Sequence, residues 1–348
     1  MTSNNIPSRI FIIPYRNRIE HKFFFSKQMS FILEDTDDYE IYFSHQYDER
    51  NFNRGATKNI GFLAMKDKYP DDYKNITFVF NDVDTLPFHK IFDYQTEPGI
   101  VKHYYGFKYA LGGIVVIKGG DFERINGYPN YWGWGNEDSG LQKRCLHFGL
   151  QIDRSQFFPI GSPEILQLFD GVKRLISHVD YQRHQNDNGR DGLTSIHQLT
   201  FTIDKESNNP KDNQYVIHHE KIFMINISSF LTNVHFEMDQ YHEYDLREPA
   251  SSIVYPKKAK TERKDIPSHD WKNIPYYPDS LSSSLLLQSK QQQQQQMQRQ
   301  MQKRPVPPNI NVFSPQYARY VGAKPTTSSI QIGLGGVSPF LKQQHVRY

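Results

Sequence analysis

The sequence predicts an α/β fold with a mostly parallel central sheet, and two observations lead to this prediction. Short apolar runs rich in β-branched and aromatic residues, which are typical of buried strands, occur at residues 9–13, 39–43 and 76–80. Apolar residues at helical spacing lie between them, at 18–34 and 54–68. A β-α-β-α-β order of this kind makes the strands parallel and covers both faces of the sheet with helices.

The predicted elements begin and end at ordinary local signals. The first strand is closed by Pro14, and Asn53 is expected to cap the helix that begins at Arg54. Three further elements are predicted beyond residue 110: a strand at 111–117 entered through Gly112 and Gly113, a short helix at 122–127, and a helix at 139–148.

The pattern of apolar and polar residues changes after about residue 195. Short strand-like runs at 199–203, 215–218 and 222–227 are separated by polar residues, which predicts a small β-rich appendage over 196–255. Residues 256–348 are rich in Lys, Ser, Pro and Gln, so they have too little apolar surface to offset the entropy of ordering. We therefore expect a disordered C-terminal tail.

Composition excludes several classes of function. The 348 residues carry 41 basic and 38 acidic side chains, a net charge of +3, so no nucleic-acid partner is expected. Cys145 is the single cysteine, which excludes an internal disulfide. No apolar run reaches the ~18 residues of a membrane span, and no signal peptide is recognisable. We expect a cytoplasmic protein. Its richness in Asn, Ile, Lys, Tyr and Gln suggests an AT-rich genome, which favours a protist or a large DNA virus with a cytoplasmic replication site.

Two aspartates follow the strand predicted at 76–80. Ligands of open α/β sheets lie outside the carboxyl ends of the strands, where Asp82 and Asp84 would lie. Hard divalent cations such as Mn²⁺ or Mg²⁺ prefer oxygen ligands and can bridge a diphosphate. The pair therefore predicts a metal and phosphate site, although a surface turn can also carry an Asp-x-Asp sequence.

A loop rich in aromatic residues and glycine lies at 127–138. It contains Trp132 and Trp134, three glycines, and the adjacent carboxylates Glu137 and Asp138. Flat indole faces beside hydrogen-bond acceptors suit a sugar ring, and one carboxylate of such a pair can act as a general base. The alternative is a tight aromatic turn that packs in the core.

Together, these residues resemble the β-1,4-galactosyltransferase family. The matching blocks, in chain order, are residues 12–18, 52–56, 80–84, 112–113 and 132–138. The resemblance covers roughly residues 8–185. It implies a GT-A fold, a nucleotide-sugar-binding α/β domain, which we assign to residues 8–195.

The resemblance also implies which residues bind the donor. Arginine guanidinium groups suit phosphate recognition, and glycine permits close approach of the backbone. Alternatively, the first two arginines could belong to a solvated helix start and the phenylalanine to the core. The implied nucleotide-sugar site consists of Pro14, Arg16, Arg18, Phe52, Arg54, Asp82, Val83, Ala110, Gly113 and Trp134.

A divalent cation, Mn²⁺ or Mg²⁺, is implied as the cofactor. The resemblance assigns Asp84 and His178 as its ligands. Leu175 stands where the family has a methionine or another ligand, and leucine cannot coordinate a metal. The cation is therefore expected to have fewer protein ligands and to be completed by water and phosphate.

The implied reaction is an inverting transfer of a hexose from a UDP-sugar to a hydroxyl of a glycan or glycoconjugate. Asp138 would deprotonate this hydroxyl, and Glu137 would hold the acceptor or the loop. Asn136 replaces the glycine usual in the family, and asparagine tolerates an unusual backbone conformation.

The choice of donor depends on Ala110. In the family, tyrosine at this position accompanies galactose transfer, and smaller residues accompany GalNAc transfer in some members. Ala110 makes UDP-GalNAc an alternative to UDP-Gal, although Tyr109 lies one residue earlier.

Two other functions remain open on sequence alone. The chain could be a catalytically inactive module that binds a UDP-sugar or a glycan, which Leu175 and Asn136 would favour. It could also be an interaction protein that acts through the appendage and the Gln-rich tail.

Overall fold

A computed structural model describes residues 6–169, 171–215 and 219–248. The predicted tail at 256–348 and residues 216–218 of the predicted strand at 215–218 lie outside the described residues. The described residues all belong to one compact unit.

Helices and strands alternate up to residue 81, and runs of consecutive strands follow. Over the described residues, the strands are β1 (Arg9–Tyr15), β2 (Tyr39–Gln46), β3 (Thr77–Asn81), β4 (Thr85–Pro87), β5 (Ile100–Gly106), β6 (Ile114–Lys118), β7 (Gln151–Asp153), β8 (Phe158–Pro159), β9 (Ile165–Gln167), β10 (Lys173–Ser177), β11 (His197–Asp204), β12 (Ile222–Leu231) and β13 (Tyr241–Asp245). The α-helices in the same ranges are α1 (Ile19–Ile32), α2 (Arg54–Lys68), α3 (Gly119–Arg124), α4 (Glu137–His147) and α5 (His178–Gln185). None of these helices has the length and apolar character that crossing a membrane requires.

The central sheet has nine strands, in the order β11-β12-β2-β1-β3-β6-β5-β7, with β8 paired to β5. The neighbours β12, β2, β1 and β3 are parallel, and β5 is parallel to β7 and β8. Antiparallel pairs join β3 to β6, β6 to β5, and β11 to β12. The predicted α/β fold with a mostly parallel sheet is confirmed.

Two of the three described strands after residue 196, β11 and β12, extend this sheet, which corrects the prediction of a separate β-rich appendage. Strand β12 pairs with β2 in parallel register, Phe223 opposite Tyr42, and β11 pairs with β12. Strand β13 pairs instead with β10, away from the central sheet. Alternation of apolar residues identifies a strand but not its partner. The sequence therefore did not predict that these strands pair with the central sheet.

The sheet buries two apolar layers because successive side chains of a strand point to opposite faces. In β3, Phe78 and Phe80 pack in the layer under α2, whereas Val79 packs in the layer under α1. Helix α2 contributes Ile60 and Phe62 to the first layer. The centroid of the Phe62 ring lies about 5 Å from those of Phe78 and Phe122.

The start of α2 lies against the aromatic loop. Asn53 caps the helix, as predicted, and its Oδ1 accepts a hydrogen bond of 2.9 Å from Ala56 N. Gly55 faces Pro129 so closely that a methyl group at Gly55 would overlap the Pro129 carbonyl oxygen. The helix can therefore reach the loop only with glycine at this position.

We expect Gly55→Ala to lower the free energy of unfolding by about 1–3 kcal/mol, because the added methyl group forces the helix and the loop apart. Gly120→Ala in α3 is the matched control, since its added methyl would meet Lys74 at an ordinary 3.5 Å. Urea unfolding of both variants checks this. Equal stability of Gly55→Ala and Gly120→Ala would show that the contact with Pro129 is not constrained.

Candidate active site

A cavity of about 660 Å³ lies at the edge of the sheet where β1 and β3 end. Loops that follow these strands, the start of α2, the glycine pair and the start of α4 line it. Twelve of the fourteen residues predicted for the site line this cavity: Pro14, Arg18, Phe52, Arg54, Asp82, Val83, Asp84, Ala110, Gly113, Trp134, Glu137 and Asp138.

Arg54 joins the two acidic segments of the cavity. Its Nη2 donates to both carboxylate oxygens of Asp82 at 2.7 Å, and its Nε donates to Oδ1 at 3.1 Å. Its Nη1 donates to Glu137 Oε1 and to Asp138 Oδ1, each at 2.8 Å. One guanidinium group thus holds the carboxylates that follow β3 and those that begin α4.

The pKa values of this cluster follow from its burial and its charges. Burial alone would raise the pKa of Asp82, but Arg54 and Lys58 outweigh burial and hold that pKa at about 2. Burial, together with the neighbouring Asp138, raises the pKa of Glu137, which Arg54 opposes. The carboxylates overcome the opposite effect of burial on Arg54 and raise its pKa well above the ordinary value.

Asp138 and the glycine pair are fitted to one another. A methyl group at Gly112 would overlap Asp138 Oδ2, and the backbone N–H of Leu111 donates to the Asp138 carbonyl at 3.0 Å. Gly113 has φ +67°, a left-handed conformation in which glycine is unstrained, and a side chain there would strike Tyr105 O. The glycine pair therefore makes the space that the Asp138 carboxylate occupies.

Helix α4 begins two residues earlier than the sequence predicted. Asn136 precedes the helix at φ +71°, so the unusual backbone that we expected at this position is confirmed. Glu137 and Asp138 consequently lie in the first turn of α4, where the helix dipole favours negative charge.

The two tryptophans of the aromatic loop have different roles. Trp132 is fully buried, its Nε1 donates to Val234 O at 2.8 Å, and its ring stacks on Phe230. Trp134 is 38% exposed and lines the cavity, and its backbone N–H donates to Leu175 O at 2.7 Å. Trp132 therefore anchors the loop in the core, and Trp134 is available to a ligand.

Asp84 offers a carboxylate to the cavity. Its Oδ2 lies 3.2 Å from Arg18 Nη1, and Thr85 Oγ1 donates to its Oδ1 at 3.2 Å. Within the described ranges, no group of three or more His, Cys, Asp or Glu side chains could hold a metal ion. This donor set fits a hard cation that binds one or two carboxylates and takes its other ligands from phosphates and water.

Two predicted site residues, Arg16 and His178, do not line the cavity. Arg16 is half-buried, and its Nη1 donates to the Arg50 carbonyl. His178 is exposed at the first turn of α5, where its ring stacks beside Tyr181 and its Nε2 lies 3.1 Å from Gln182 Nε2. Leu175, three residues before His178, lines the cavity.

Small and aromatic side chains line the cavity near the glycine pair. Ala110 is buried in this lining. Tyr109 also lines the cavity, but it is 68% exposed and its ring stacks on Phe107 with centroids 5.2 Å apart. Tyr105 also lines the cavity, and its hydroxyl donates to Gln167 at 2.7 Å.

Sequence reasoning missed three lining or supporting residues. Tyr105 lies on β5, a strand that was not predicted. Arg174, on β10, also lines the cavity, and its guanidinium carbon lies 5.9 Å from the centroid of the Trp134 ring. Lys58 lies behind the cavity, one helical turn after Arg54. Its spacing of four residues from Arg54 was the one signal that could have identified it.

His103 supports the glycine pair from behind. Its Nδ1 accepts from Arg154 Nε at 3.0 Å, so the proton resides on Nε2, which donates to Tyr105 O at 2.9 Å and Gly112 O at 3.1 Å. Burial and the neighbouring Arg154 lower the pKa of His103 to about 4. His103 is thus neutral in the folded protein and fixes the backbone beside Asp138.

Two family models match adjacent stretches of the chain. A model described as the N-terminal region of glycosyl transferase group 7 matches residues 5–97. A second model, described as the N-terminal domain of galactosyltransferase, matches residues 99–166.

Individual proteins are similar over longer stretches. Mouse β-1,4-galactosyltransferase 1 is 36% identical over 155 residues, which are 41% of this chain and 38% of the relative. The xylosylprotein 4-beta-galactosyltransferase of Caenorhabditis elegans is 30% identical over 211 residues, 56% of this chain and 70% of the relative. A structure of Drosophila β-1,4-galactosyltransferase 7 with manganese, UDP-Gal and xylobiose aligns with 20% identity and a TM-score of 0.49, over 65% of this chain and 94% of that chain. The chain spans 38% of the length of the mouse relative.

We expect the free energy of unfolding of His103→Gln to decrease less than that of the wild type when the pH falls below neutrality. The folded pKa of about 4 lies below the ordinary 6.5, so the neutral imidazole stabilises the fold above pH 6.5 and this contribution is lost as the pH falls toward 4. Urea unfolding at pH 7 and 4.5 should show on the order of 2 kcal/mol less loss in the variant than in the wild type. His147→Gln, on the exposed side of α4, is the control. Identical pH dependence in wild type and His103→Gln would contradict the assignment.

Proposed function

Because this chain belongs to the glycosyltransferase family 7 of β-1,4-galactosyltransferases, we propose that it transfers a hexose from a UDP-sugar to a hydroxyl group of a glycan or glycoconjugate. The transfer is inverting and depends on a divalent cation. The donor lies in the cavity between Asp84 and Trp134, and the acceptor enters beside Asp138.

One observation carries this proposal: Arg54 holds Asp138 and Asp82 at the wall of one cavity, into which Asp84 also faces. A hexosyltransferase needs a base beside the acceptor and charged groups beside the diphosphate, at a separation that one nucleotide sugar can bridge. The arrangement supports both requirements in a single pocket of about 660 Å³, a volume suited to a small-molecule ligand.

The chemistry follows from the orientation of Asp138. Its Oδ2 lies beside Gly112 and accepts the proton of the acceptor hydroxyl as the hydroxyl oxygen attacks the anomeric carbon. The new glycosidic bond forms while the bond from that carbon to the diphosphate breaks, and UDP leaves with the electron pair. Attack opposite the leaving group inverts the anomeric configuration. Trp134, exposed in the lining, stacks on a sugar ring.

A divalent cation is proposed at Asp84, with Arg18 close to the same carboxylate. When bound, the cation stabilises the negative charge of the leaving diphosphate. Arg18 and Arg54 supply further positive charge along the donor, since guanidinium groups suit phosphate oxygens. Leu175 lines the cavity without offering a ligand, so a bound cation would take its remaining ligands from phosphate and water.

The donor is proposed to be UDP-Gal, with UDP-GalNAc as a second donor. Ala110 has a small side chain at the wall of the cavity, which leaves room for the N-acetyl group. The acceptor class is a sugar hydroxyl. The Caenorhabditis elegans relative is named for a xylosylprotein acceptor, which makes xylosides the first acceptors to test.

We expect the purified protein to release UDP from UDP-Gal, and from UDP-GalNAc, when Mn²⁺ and a β-xyloside or another simple glycoside are present. Asp138→Asn should lower kcat by about 10²–10⁴-fold, because it removes the general base. Asp84→Ala should abolish the dependence of activity on Mn²⁺ together with most of the activity. UDP release measured with UDP-Gal, UDP-GalNAc, UDP-Glc and UDP-GlcNAc checks this.

Asp71→Asn, an exposed carboxylate away from the cavity, is the matched control and should retain wild-type turnover. Turnover that survives Asp138→Asn would contradict the assigned base. Binding of UDP without turnover of any donor would favour the inactive binding module, and absence of UDP binding would contradict the proposal as a whole.

A further inference from the structure

Lys58 carries a buried ammonium group behind the cavity wall. The residue is fully buried on α2, one turn beyond Arg54, and does not line the cavity. Its Nζ lies 3.4 Å from Asp82 Oδ1 and 3.6 Å from Asp138 Oδ1, and 4.6 Å from the centroid of the Tyr128 ring. Within the described part of the chain, Nζ makes no hydrogen bond.

A buried ammonium is costly unless carboxylates compensate it. Here the compensation is mutual. Three carboxylates, those of Asp82, Glu137 and Asp138, surround the single guanidinium of Arg54. Arg54 alone would leave two negative charges uncompensated in the cavity wall, and Lys58 reduces this to one. An apolar residue at position 58 would serve the packing of α2 as well, so the charge of Lys58 needs a reason beyond packing.

Lys58 and Arg54 contact the same oxygen of Asp138. Arg54 Nη1 donates to Oδ1 at 2.8 Å, and Nζ of Lys58, which does not line the cavity, lies 3.6 Å from Oδ1. The other oxygen, Oδ2, lies against Gly112 and makes no hydrogen bond within residues 6–169, 171–215 and 219–248. Two cations thus face one oxygen, whereas the second lies beside Gly112, a residue that lines the cavity.

We propose that Lys58 is a positioning residue of the transfer reaction, which, together with Arg54, holds Oδ1 of Asp138 so that Oδ2 receives the acceptor proton. Arg54 lines the cavity and also faces the donor, whereas Lys58 is enclosed. Lys58 therefore holds Asp138 independently of contacts between Arg54 and the diphosphate. This inference rests on the proposed function.

The charged and titratable groups around Asp138 come from four elements. Arg54 and Lys58 approach from α2, Asp82 follows β3, and Glu137 precedes it on α4. His103, on β5, lies behind Gly112, and the negative charge of Asp138 opposes the lowering of the His103 pKa. The Tyr128 ring covers Lys58. Lys58 is enclosed among these groups, so its removal changes the charge that faces Asp138 without opening the donor side of the cavity.

The experiment compares Lys58→Met with the wild type in the UDP-release assay. Methionine keeps the length and the apolar stem of lysine and removes the ammonium. We expect kcat to fall about 100-fold through misplacement of the base, while the KM for the donor stays near the wild-type value. Loss of a neighbouring cation favours the protonated form of a carboxylate, so the acid limb of the kcat/KM profile should move to higher pH.

Lys58→Gln is a second variant that retains hydrogen-bond donors without charge, and it should show the same upward shift. Lys66→Met on the same helix is the matched control, since Lys66 forms a half-exposed ion pair with Glu123. An unshifted acid limb in folded Lys58→Met and Lys58→Gln would overturn the proposal. Loss of a cooperative thermal transition in both would also overturn it, in favour of a purely structural role.

The two proposals fail in distinguishable ways. If the proposed function is wrong, the wild-type protein releases no UDP from any donor, and the positioning role falls with it before a variant is made. If only this inference is wrong, the wild type turns over and the Lys58 variants keep its pH profile.

Discussion

The geometry of the cavity depends on the hydrogen bonds that the Arg54 guanidinium group donates to three carboxylates. This group reaches Asp82 after β3 and the carboxylates of Glu137 and Asp138 at the start of α4, at 2.7–2.8 Å. These segments are 28 and 83 residues away in the sequence. A planar group with five donors can satisfy several carboxylates at once, which an ammonium cannot do with the same geometry. The two positive charges of α2, on Arg54 and Lys58, compensate two of the three carboxylates in this cluster.

The rest of the fold serves to deliver these groups to one edge of the sheet. The parallel strands bring Pro14 and Asp82 to the same edge, and Asn53 caps α2 so that Arg54 begins the helix there. Gly55 lets the helix approach Pro129, and Trp132 anchors the aromatic loop in the core. Sheet register, helix cap and loop packing thus converge on a cavity lined by carboxylates and one exposed tryptophan.

The sequence predicted the elements whose signals are local. Helix α2 begins and ends as expected because Asn53 is a good cap and its apolar spacing is regular, and the twelve lining residues belong to short blocks beside strand ends. Long-range pairing was not predictable from local signals. Strand β10 pairs with β13, which lies more than 60 residues later in the sequence, and β12 pairs with β2. The burial of Lys58 and the exposure of His178 likewise depend on tertiary contacts that no local pattern records.

The most direct test of this account is a crystal structure of the protein with UDP and Mn²⁺. The account predicts that the cation lies on the Asp84 carboxylate, that the diphosphate lies between it and Arg54, and that Asp138 Oδ2 remains open to the acceptor side. A diphosphate bound outside the cavity that contains Asp84 and Arg54, or a nucleotide-bound structure in which Arg54 contacts none of its three carboxylates, would contradict the account.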